Sequence, residues 1–458
     1  MQTTRRNGSV CQERRLVRAV GRRPITGLGC IASLAVIVGA GCSEGGLPYP
    51  VGSLDFWGGL ADRPLWDASG PGDLSSLDLA ILPDLLPEPT CGSATALQAG
   101  APWPTQGRCP NHQSRSRYVG AQTGQIRWTA QLSPHHEFHP ALAIAANGTV
   151  FAGTDQGLYA LDGATGAQRW SAPDLGSINS TPTIGRDGTV YVGSLDPNSI
   201  YAVDGDSGQV RWSFAAGDKV VSSPTLTEDG GIIFGTVAGL IDAVDARTGR
   251  LRWAIQTGGR VSASAALSGD GTAYLGSRDG HVYAIEVATG RTKWSYVTGE
   301  RVDTDVVVGD DGTVFVAAYS RLHAIDGQSG LARWTIPLLA VPVGGNPALG
   351  ANGTLYLPSY GQHALYAIEV TTGAVRWTFN PSARPENTVG GSPTIGADGT
   401  VYVSSGDMRL DALDGDTGRV KWSLEDPTHK GLGAQLPIGR DGTVYAAGGQ
   451  GSLYAIGP

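Results

Sequence analysis

The chain has 458 residues, of which 41% are hydrophobic and 16% are charged, and its formal net charge at neutral pH is −8. A mildly acidic composition without a long basic run in its repeats argues against nucleic-acid binding as the main activity. Length alone would suggest about three domains, but one repeated unit fills about three quarters of the chain and overrides that estimate.

The N-terminus is basic and then apolar, because arginines dominate its first two dozen residues and the run from Ile25 to Gly41 is apolar and rich in glycine. A basic region, a short apolar region and small residues before a cysteine predict a signal peptide over residues 1–41. VGAGC, which ends at Cys42, resembles the lipobox of bacterial lipoproteins, although Gly39 stands where that family usually has Leu. The resemblance implies cleavage before Cys42 and lipidation of it. An ordinary cleaved signal remains open, and a membrane anchor is disfavoured because the run is short.

Residues 42–90 are rich in Pro, Gly, Asp and Leu without steady periodicity, which predicts a disordered tether. Cys91 and Cys109 lie in the next segment, a lead-in over residues 91–117. Two cysteines so placed predict a disulfide in an oxidising compartment. The repeats themselves contain no cysteine.

From residue 118 to residue 458 the chain repeats the pattern AxDxxTGxxxW, as in Ala160 to Trp170. The period of about 40 to 45 residues is typical of a propeller blade. Each unit predicts four short strands rich in Val, Ile, Tyr and Trp. In the unit around Trp212 these are Ser180 to Ile184, Thr189 to Gly193, Ser199 to Asp204 and Gln209 to Phe214.

Glycine marks both predicted turns of a unit. Asp-Gly or Asn-Gly, such as Asp187-Gly188, lies between the first and second strands and predicts a two-residue turn whose central residues both have positive φ. DxxTG joins the third and fourth strands, and its glycine supplies a left-handed residue. No segment shows sustained helical periodicity, so the repeats are all-β.

The last repeat is incomplete. An eighth copy begins at Ala455 and stops at Pro458, and its missing half stands far upstream at Thr123 to Trp128. A closed ring uses a surplus strand at one end to pair with the open edge at the other. We therefore predict an eight-bladed β-propeller over residues 118–458, in which Gln125 to Leu132 completes the last blade.

The repeat, with DGTVYVGS, LYALD, TG and a following Trp, resembles the pyrroloquinoline-quinone-type (PQQ-like) propeller repeat of the quinoprotein alcohol dehydrogenase-like superfamily. In that family the Ala-to-Trp stretch is a tryptophan docking motif, which implies that each Trp packs between neighbouring blades. The tryptophans concerned are Trp128, Trp170, Trp212, Trp253, Trp294, Trp334, Trp377 and Trp422. Members include quinone-dependent dehydrogenases and non-enzymatic scaffolds, among them the propeller lipoprotein of the outer-membrane barrel-assembly machinery.

A quinone enzyme of this family would have bound calcium, a catalytic Asp and often a disulfide between adjacent cysteines. This chain has no adjacent cysteines and no long inserted segments, and most of its carboxylates lie in repeated turns that need them. We therefore predict no catalytic residue and no cofactor. A PQQ-dependent oxidoreductase remains the competing hypothesis.

Two sets of loops share one face of a propeller: those that join one blade to the next, and those that join second to third strands. In the loop that enters the first blade, His135, His136 and His139 are candidate metal ligands, but their spacing is not that of HExxH and a solvated loop is favoured. A metal- or carbohydrate-binding face therefore stays an alternative. Other candidates on this face form a mixed polar rim: Lys219, Arg260, Arg301, Asp303, Asp305, Arg384, Glu386, His429 and Lys430.

Taken together, these features predict a non-catalytic lipoprotein of the cell envelope, lipid-anchored to the outer membrane, with a monomeric propeller. We expect it to be a protein-binding scaffold for envelope proteins in outer-membrane protein assembly, facing either the periplasm or the exterior, and not to bind nucleic acid. A secreted protein is the alternative location.

Overall fold

The computed structural model describes residues 96–132, 141–338, 345–381, 391–405, 408–427, 431–433 and 435–457. These residues form eight antiparallel sheets arranged as a β-propeller, which confirms the predicted fold class. In each of the first seven blades four strands pair in chain order, from the innermost to the outermost. No helix in the described part of the chain has the length and apolar character needed to cross a bilayer.

The strands of blades 1 to 4 are β2 (Ala141–Ile144), β3 (Thr149–Thr154), β4 (Gly157–Asp162), β5 (Gln168–Ala172), β6 (Thr183–Ile184), β7 (Thr189–Gly193), β8 (Ser199–Asp204), β9 (Val210–Ala215), β10 (Thr225–Leu226), β11 (Gly231–Gly235), β12 (Leu240–Asp245), β13 (Leu251–Gln256), β14 (Ala266–Leu267), β15 (Thr272–Gly276), β16 (His281–Glu286) and β17 (Thr292–Val297). Those of blades 5 to 7 are β18 (Val307–Val308), β19 (Thr313–Ala318), β20 (Arg321–Asp326), β21 (Ala332–Pro337), β22 (Ala348–Leu349), β23 (Thr354–Ser359), β24 (Ala364–Glu369), β25 (Val375–Phe379), β26 (Thr394–Ile395), β27 (Thr400–Ser405), β28 (Arg409–Asp414) and β29 (Val420–Glu425). Blade 8 contains β30 (Val444–Gly448), β31 (Ser452–Gly457) and β1 (Gln125–Gln131), and single turns of 3-10 helix occupy Pro173–Leu175 and Gly449–Gly451.

The core lies between adjacent blades. The second strand of a blade, such as β7, is buried at every position, whereas the outermost strand, such as β9, alternates between exposed and half-buried residues. Val190 and Val192 of β7 belong to one cluster with Phe151 of blade 1. A strand that is covered on both faces needs a continuous apolar run, which is why the second strands read as TVYVG rather than as an alternating pattern.

An N-terminal strand closes the ring, as predicted. β1 pairs antiparallel with β31, with Gln125 opposite Gly457 and Gln131 opposite Ser452. The sheet order is β1-β31-β30, and the innermost position of this blade is reduced to isolated bridges with β30, from Leu432 to Gly448 and from Ile438 to Val444. Blade 8 is therefore built from both ends of the domain, so it cannot form until those ends meet.

The turn between first and second strands differs from the predicted two-residue turn. In blade 2 the N–H of Gly188 bonds to the carbonyl of Gly185, and only Gly188, at φ +79°, has positive φ. This is a three-residue loop that ends in a left-handed glycine. Asp187 instead accepts the N–H of Thr189 through its side chain at 3.1 Å, so the aspartate stabilises the turn without adopting the left-handed conformation.

Residues 97–118, which we call the plug, lie across one end of the central channel. The last residue of an inner strand donates its N–H to a plug carbonyl in six blades: Ile144 to Trp103, Ile184 to Pro104, Leu267 to Pro110, Val308 to Asn111, Leu349 to Gln113 and Ile395 to Ser114, at 2.8 to 3.0 Å. Gly107, Arg108, His112 and Ser114 all have positive φ, so the plug is compact and irregular. The segment predicted as a lead-in is thus packed into the propeller along most of its length.

The eight tryptophans lie between neighbouring blades. Each indole N–H donates to a carbonyl in the turn of the next blade, as from Trp170 to Gly205 at 3.0 Å. For Trp422 the acceptor is the carbonyl of Ala121, 3.1 Å away, so the segment that leads into β1 supplies the turn that the broken eighth repeat lacks. The glycine of TG is needed for this packing as well as for its backbone angle, because a Cβ on Gly166 would lie 2.6 Å from the Trp128 ring.

Candidate functional site

One face of the propeller carries a row of basic side chains. We call this face, formed by the loops between blades and the loops between second and third strands, the upper face. Lys219, Arg260 and Arg301 occupy the same position in the loops that enter blades 3, 4 and 5, and we call them the basic arc. Their carbonyls accept N–H groups from Val237, Arg278 and Tyr319 at 3.0, 2.9 and 3.2 Å, respectively. These bonds join the two sets of loops, so the backbone that carries the basic arc is ordered.

Side chains of blades 4 and 5 add paired charges beside the basic arc. The guanidinium of Arg301 lies over the ring of Tyr319, 4.4 Å from its centroid, and its Nε is 3.3 Å from Asp303 Oδ2. Arg278 donates to the other oxygen of Asp303. Pairs this exposed contribute little to stability, about 0–1 kcal/mol each, so their main effect is to orient the arginines. Tyr319 keeps 37% of its surface exposed.

A ring of mostly polar side chains lies at the upper end of the central channel. Each blade contributes one residue, just before or at the start of its innermost strand, and we call the set the polar ring: Ala141, Thr181, Ser223, Ser264, Asp305, Asn346, Ser392 and Gln435. All eight line one cavity of about 190 Å³, and Gln106 of the plug also lines it. The plug and the polar ring therefore meet inside the channel.

The polar ring is held by hydrogen bonds that run from blade to blade. In each case the backbone N–H of one member donates to the side chain of the next: Thr181 to Ser223, Ser223 to Ser264, Ser264 to Asp305, Asp305 to Asn346 and Asn346 to Ser392, at 2.6 to 3.0 Å. These hydrogen bonds satisfy backbone N–H groups that the short inner strands leave without a partner in the sheet. They also fix the direction in which each side chain points.

Asp305, predicted on the rim, lies deeper than the rim and is only 3% exposed. Besides the N–H of Ser264, its carboxylate accepts the side-chain amides of Gln106 at 2.8 Å and Asn346 at 2.7 Å. A buried carboxylate is tolerated only with such donors. Burial lowers the pKa of His112 in the plug below, and the charge of Asp305 opposes that shift.

Other predicted residues are placed as follows. Lys219 and Arg301 are exposed, Arg260 is half-buried, and Asp303 lines the cavity mouth. Cys109 is disulfide-bonded, while its predicted partner Cys91 lies outside the described residues, so the pairing remains a prediction. Across the described ranges, no three His, Cys, Asp or Glu side chains gather as a metal site. The remaining candidates also lie outside the described residues: Cys42, His135, His136, His139, Arg384, Glu386, His429 and Lys430.

Apart from Asp305, sequence reasoning missed the polar ring, and it also missed Arg278. The signal for the ring was present, because seven of the eight repeats carry Thr, Ser, Asp, Asn or Gln at a position that precedes a buried strand. Nothing comparable pointed to Arg278, whose role depends on contact with the next blade.

A family profile described as outer membrane protein assembly factor BamB matches residues 113–254, 237–338 and 320–458. The chain belongs to this family. Curated protein sequences include none that is similar to the chain. Its structure is similar to that of BamB from Moraxella catarrhalis, with 18% identity, a TM-score of 0.60 and coverage of 73% of this chain and 97% of that one.

The fold is also that of quinoprotein enzymes. Quinohemoprotein alcohol dehydrogenase from Comamonas testosteroni matches with 15% identity, a TM-score of 0.67 and coverage of 82% of this chain and 83% of that one. At these identities the likeness concerns the fold alone. The quinone is a polycarboxylate and would need basic partners. No Lys or Arg is among the described residues that line the cavity, whereas Asp303 and Asp305 are.

Proposed function

We propose that this protein is a non-catalytic lipoprotein of the cell envelope whose propeller binds another envelope protein through its upper face. The observation that carries the proposal is the basic arc, in which three consecutive blades present Lys219, Arg260 and Arg301 beside the exposed ring of Tyr319. Membership of the BamB family supports a role in the assembly of outer-membrane proteins.

The chemistry of this surface suits a protein partner. Arginine and tyrosine are enriched in protein interfaces and among the residues that dominate binding energy. The stacking of Arg301 on Tyr319 and its pairing with Asp303 reduce the side-chain entropy that would be lost on binding. The basic arc is flanked by Asp218, Glu300 and Asp303, so this surface favours a partner segment that is rich in hydrogen-bond acceptors and carries charges of both signs.

The anchor completes the proposal. Cleavage before Cys42 and lipidation of that residue would hold the protein at the outer membrane, and residues 42–90 would act as the tether. Such a tether lets the propeller reach partners near the membrane surface.

Affinity purification from solubilised membranes tests the binding surface. The full-length protein is compared with an Arg260→Glu/Arg301→Glu variant and with an Arg250→Glu/Arg419→Glu control. The control reverses two exposed arginines in turns on the opposite face. We expect the first variant to lose the co-purified protein at least tenfold and the control to retain it. Equal recovery with both variants contradicts the proposed surface.

A second measurement tests the absence of catalysis. The purified protein is mixed with added quinone and Ca²⁺ in the presence of alcohols or sugars, and its absorption spectrum and substrate oxidation are followed. We expect no quinone-dependent turnover. Turnover above a protein-free blank overturns the non-catalytic assignment.

A further inference from the structure

The inner strand of blade 3 lacks the plug contact that six other blades have. Leu226 ends this strand, and its N–H donates to no plug carbonyl among the described residues. Blade 8 is the other exception, and its inner strand is itself reduced to isolated bridges. Between Pro104, which bonds to blade 2, and Pro110, which bonds to blade 4, the plug rises into the channel, where Gln106 lines the cavity of the polar ring. This course leaves the backbone donor of Leu226 to another segment.

A groove of about 520 Å³ begins beside Leu226 and runs between the turns of blades 2 and 3. It lies on the face opposite to the upper face, and we call it the lower groove. Its apolar part contains Leu226, Tyr191 and Ala96, which pack in one hydrophobic cluster with Leu97 of the plug. The rest is lined largely by charged side chains, among them two ion pairs, Arg211 with Asp187 and Arg252 with Asp229. The lower groove thus places an apolar surface next to the inner end of blade 3.

The chain enters the propeller at this groove. The carbonyl of Ala96 accepts the N–H of Arg186 at 3.0 Å, and the N–H of Gln98 donates to the carbonyl of Ile184 at 3.1 Å. The backbone therefore pairs antiparallel with the end of the inner strand of blade 2. Consecutive Cα atoms are only about 3.8 Å apart. The residues that immediately precede Ala96 must therefore start at the lower groove.

Cys109 limits where those residues can go. It is disulfide-bonded and 4% exposed, and it directly precedes Pro110, whose carbonyl bonds to blade 4. The chain has five cysteines, and Cys91 is the one closest in sequence to Ala96. A disulfide holds two Cα atoms about 4–7 Å apart. With Cys91 as the partner, the chain must return from beside blade 4 to blade 2 within residues 91–96, which span at most roughly 17 Å. Blade 3 stands between those two blades, so the direct route crosses it.

From these observations we propose that residues 92–95 dock in the lower groove and cover the inner end of blade 3 beside Leu226, and that a disulfide between Cys91 and Cys109 holds them there. The segment, Gly-Ser-Ala-Thr, is small and uncharged, which suits the apolar part of the groove. Once docked, it ties blade 3 to the centre of the propeller as the plug ties six other blades. The lower groove and the basic arc lie on opposite faces, so this inference does not depend on the proposed function.

Photo-crosslinking within the purified full-length protein tests the docking. Benzoylphenylalanine replaces Ser93 or, as a control in the predicted tether, Ser53, and the adducts are mapped by mass spectrometry after digestion. We expect position 93 to crosslink within one chain to the turns that line the groove, residues 225–231 or 245–247, and position 53 not to do so. An adduct elsewhere on the propeller, an adduct between two copies, or no adduct from position 93 overturns the proposal.

Disulfide mapping and hydrogen exchange keep the proposal testable if the bulky probe itself disturbs docking. Digestion of the unreduced protein should release a peptide pair that joins Cys91 to Cys109, and any other partner for Cys109 overturns the proposal. In Cys91→Ser, the amide of Leu226 should exchange at least tenfold faster than in wild type. The amide of Val308, which bonds to Asn111 of the plug, serves as the control and should be unchanged. Equal exchange of the Leu226 amide in both proteins contradicts a segment held by this disulfide.

Discussion

Ring closure by β1 can be tested with one pair of tryptophan variants. Trp128 lies in β1 and Trp170 in β5, and their indole N–H groups donate to the carbonyls of Gly163 and Gly205, both at 3.0 Å. Both are half-buried. If blade 8 is docked as firmly as an uninterrupted blade, Trp128→Ala and Trp170→Ala should each lower the free energy of unfolding by about 3 kcal/mol. The two costs should agree to within about 1 kcal/mol.

Removal of the whole strand should have a much larger effect. β1 and β31 share six paired positions. With about one hydrogen bond per pair, and about 1 kcal/mol of net stability per bond, loss of this pairing should lower the free energy of unfolding by roughly 6 kcal/mol. Losing the contacts of Trp128 adds about 2 kcal/mol. The sum is comparable to the total stability of an ordinary domain, about 5–15 kcal/mol. Deletion of residues 1–132, which also removes the plug, should therefore prevent cooperative folding, whereas deletion of residues 1–90 should not.

Urea denaturation of the purified proteins, followed by far-UV circular dichroism, measures both effects. The closure argument fails if Trp128→Ala costs nothing while Trp170→Ala costs about 3 kcal/mol. It also fails if the chain lacking residues 1–132 unfolds at the same urea concentration as the full-length protein.

Three further predictions concern single side chains. Burial raises the pKa of Asp242 to about 6. Ionisation of this carboxyl therefore destabilises the fold as pH rises from about 4 to above 6. In urea titrations, Asp242→Asn should raise the free energy of unfolding by up to about 3 kcal/mol at pH 8 and by little at pH 4. Burial, and secondarily the charge of Arg321, lowers the pKa of His323 to about 4. The free energy of unfolding should therefore fall as pH drops from about 6.5 to about 4. His323→Phe should flatten this part of the plot of unfolding free energy against pH, and an unchanged slope would contradict the prediction. Cys42→Ala should move the protein from the detergent phase to the aqueous phase in Triton X-114 partition, and unchanged partition would exclude lipidation at that residue.

The second and third strands of a blade were predictable to the residue, and the first was not. In blade 2, β7 and β8 have the bounds that the repeat indicates, because their residues pair on both sides and are buried by both neighbouring blades. The first strand was predicted from Ser180 but begins at Thr183. The reason lies in Thr181, whose N–H donates to Ser223 of the next blade instead of to β7.

The plug depends on contacts that a repeat cannot encode. Plug carbonyls take the N–H groups of inner strands, and backbone acceptors leave no residue pattern to read. The basic arc was partly predictable, since Lys219, Arg260 and Arg301 interrupt the consensus at one position of three successive repeats. Its extension by Arg278 and Tyr319 needed the packing of adjacent loops.

Site-specific photo-crosslinking in intact envelopes tests the proposed platform most directly. A photoreactive phenylalanine analogue replaces Tyr319, beside the basic arc, or Leu331, which is 70% exposed in a turn on the opposite face. If the upper face is the binding surface, position 319 should give a discrete adduct with one envelope protein, the adduct should be lost with Arg260→Glu/Arg301→Glu, and position 331 should give none. Adducts of equal yield from both positions, or none from position 319, would contradict the account.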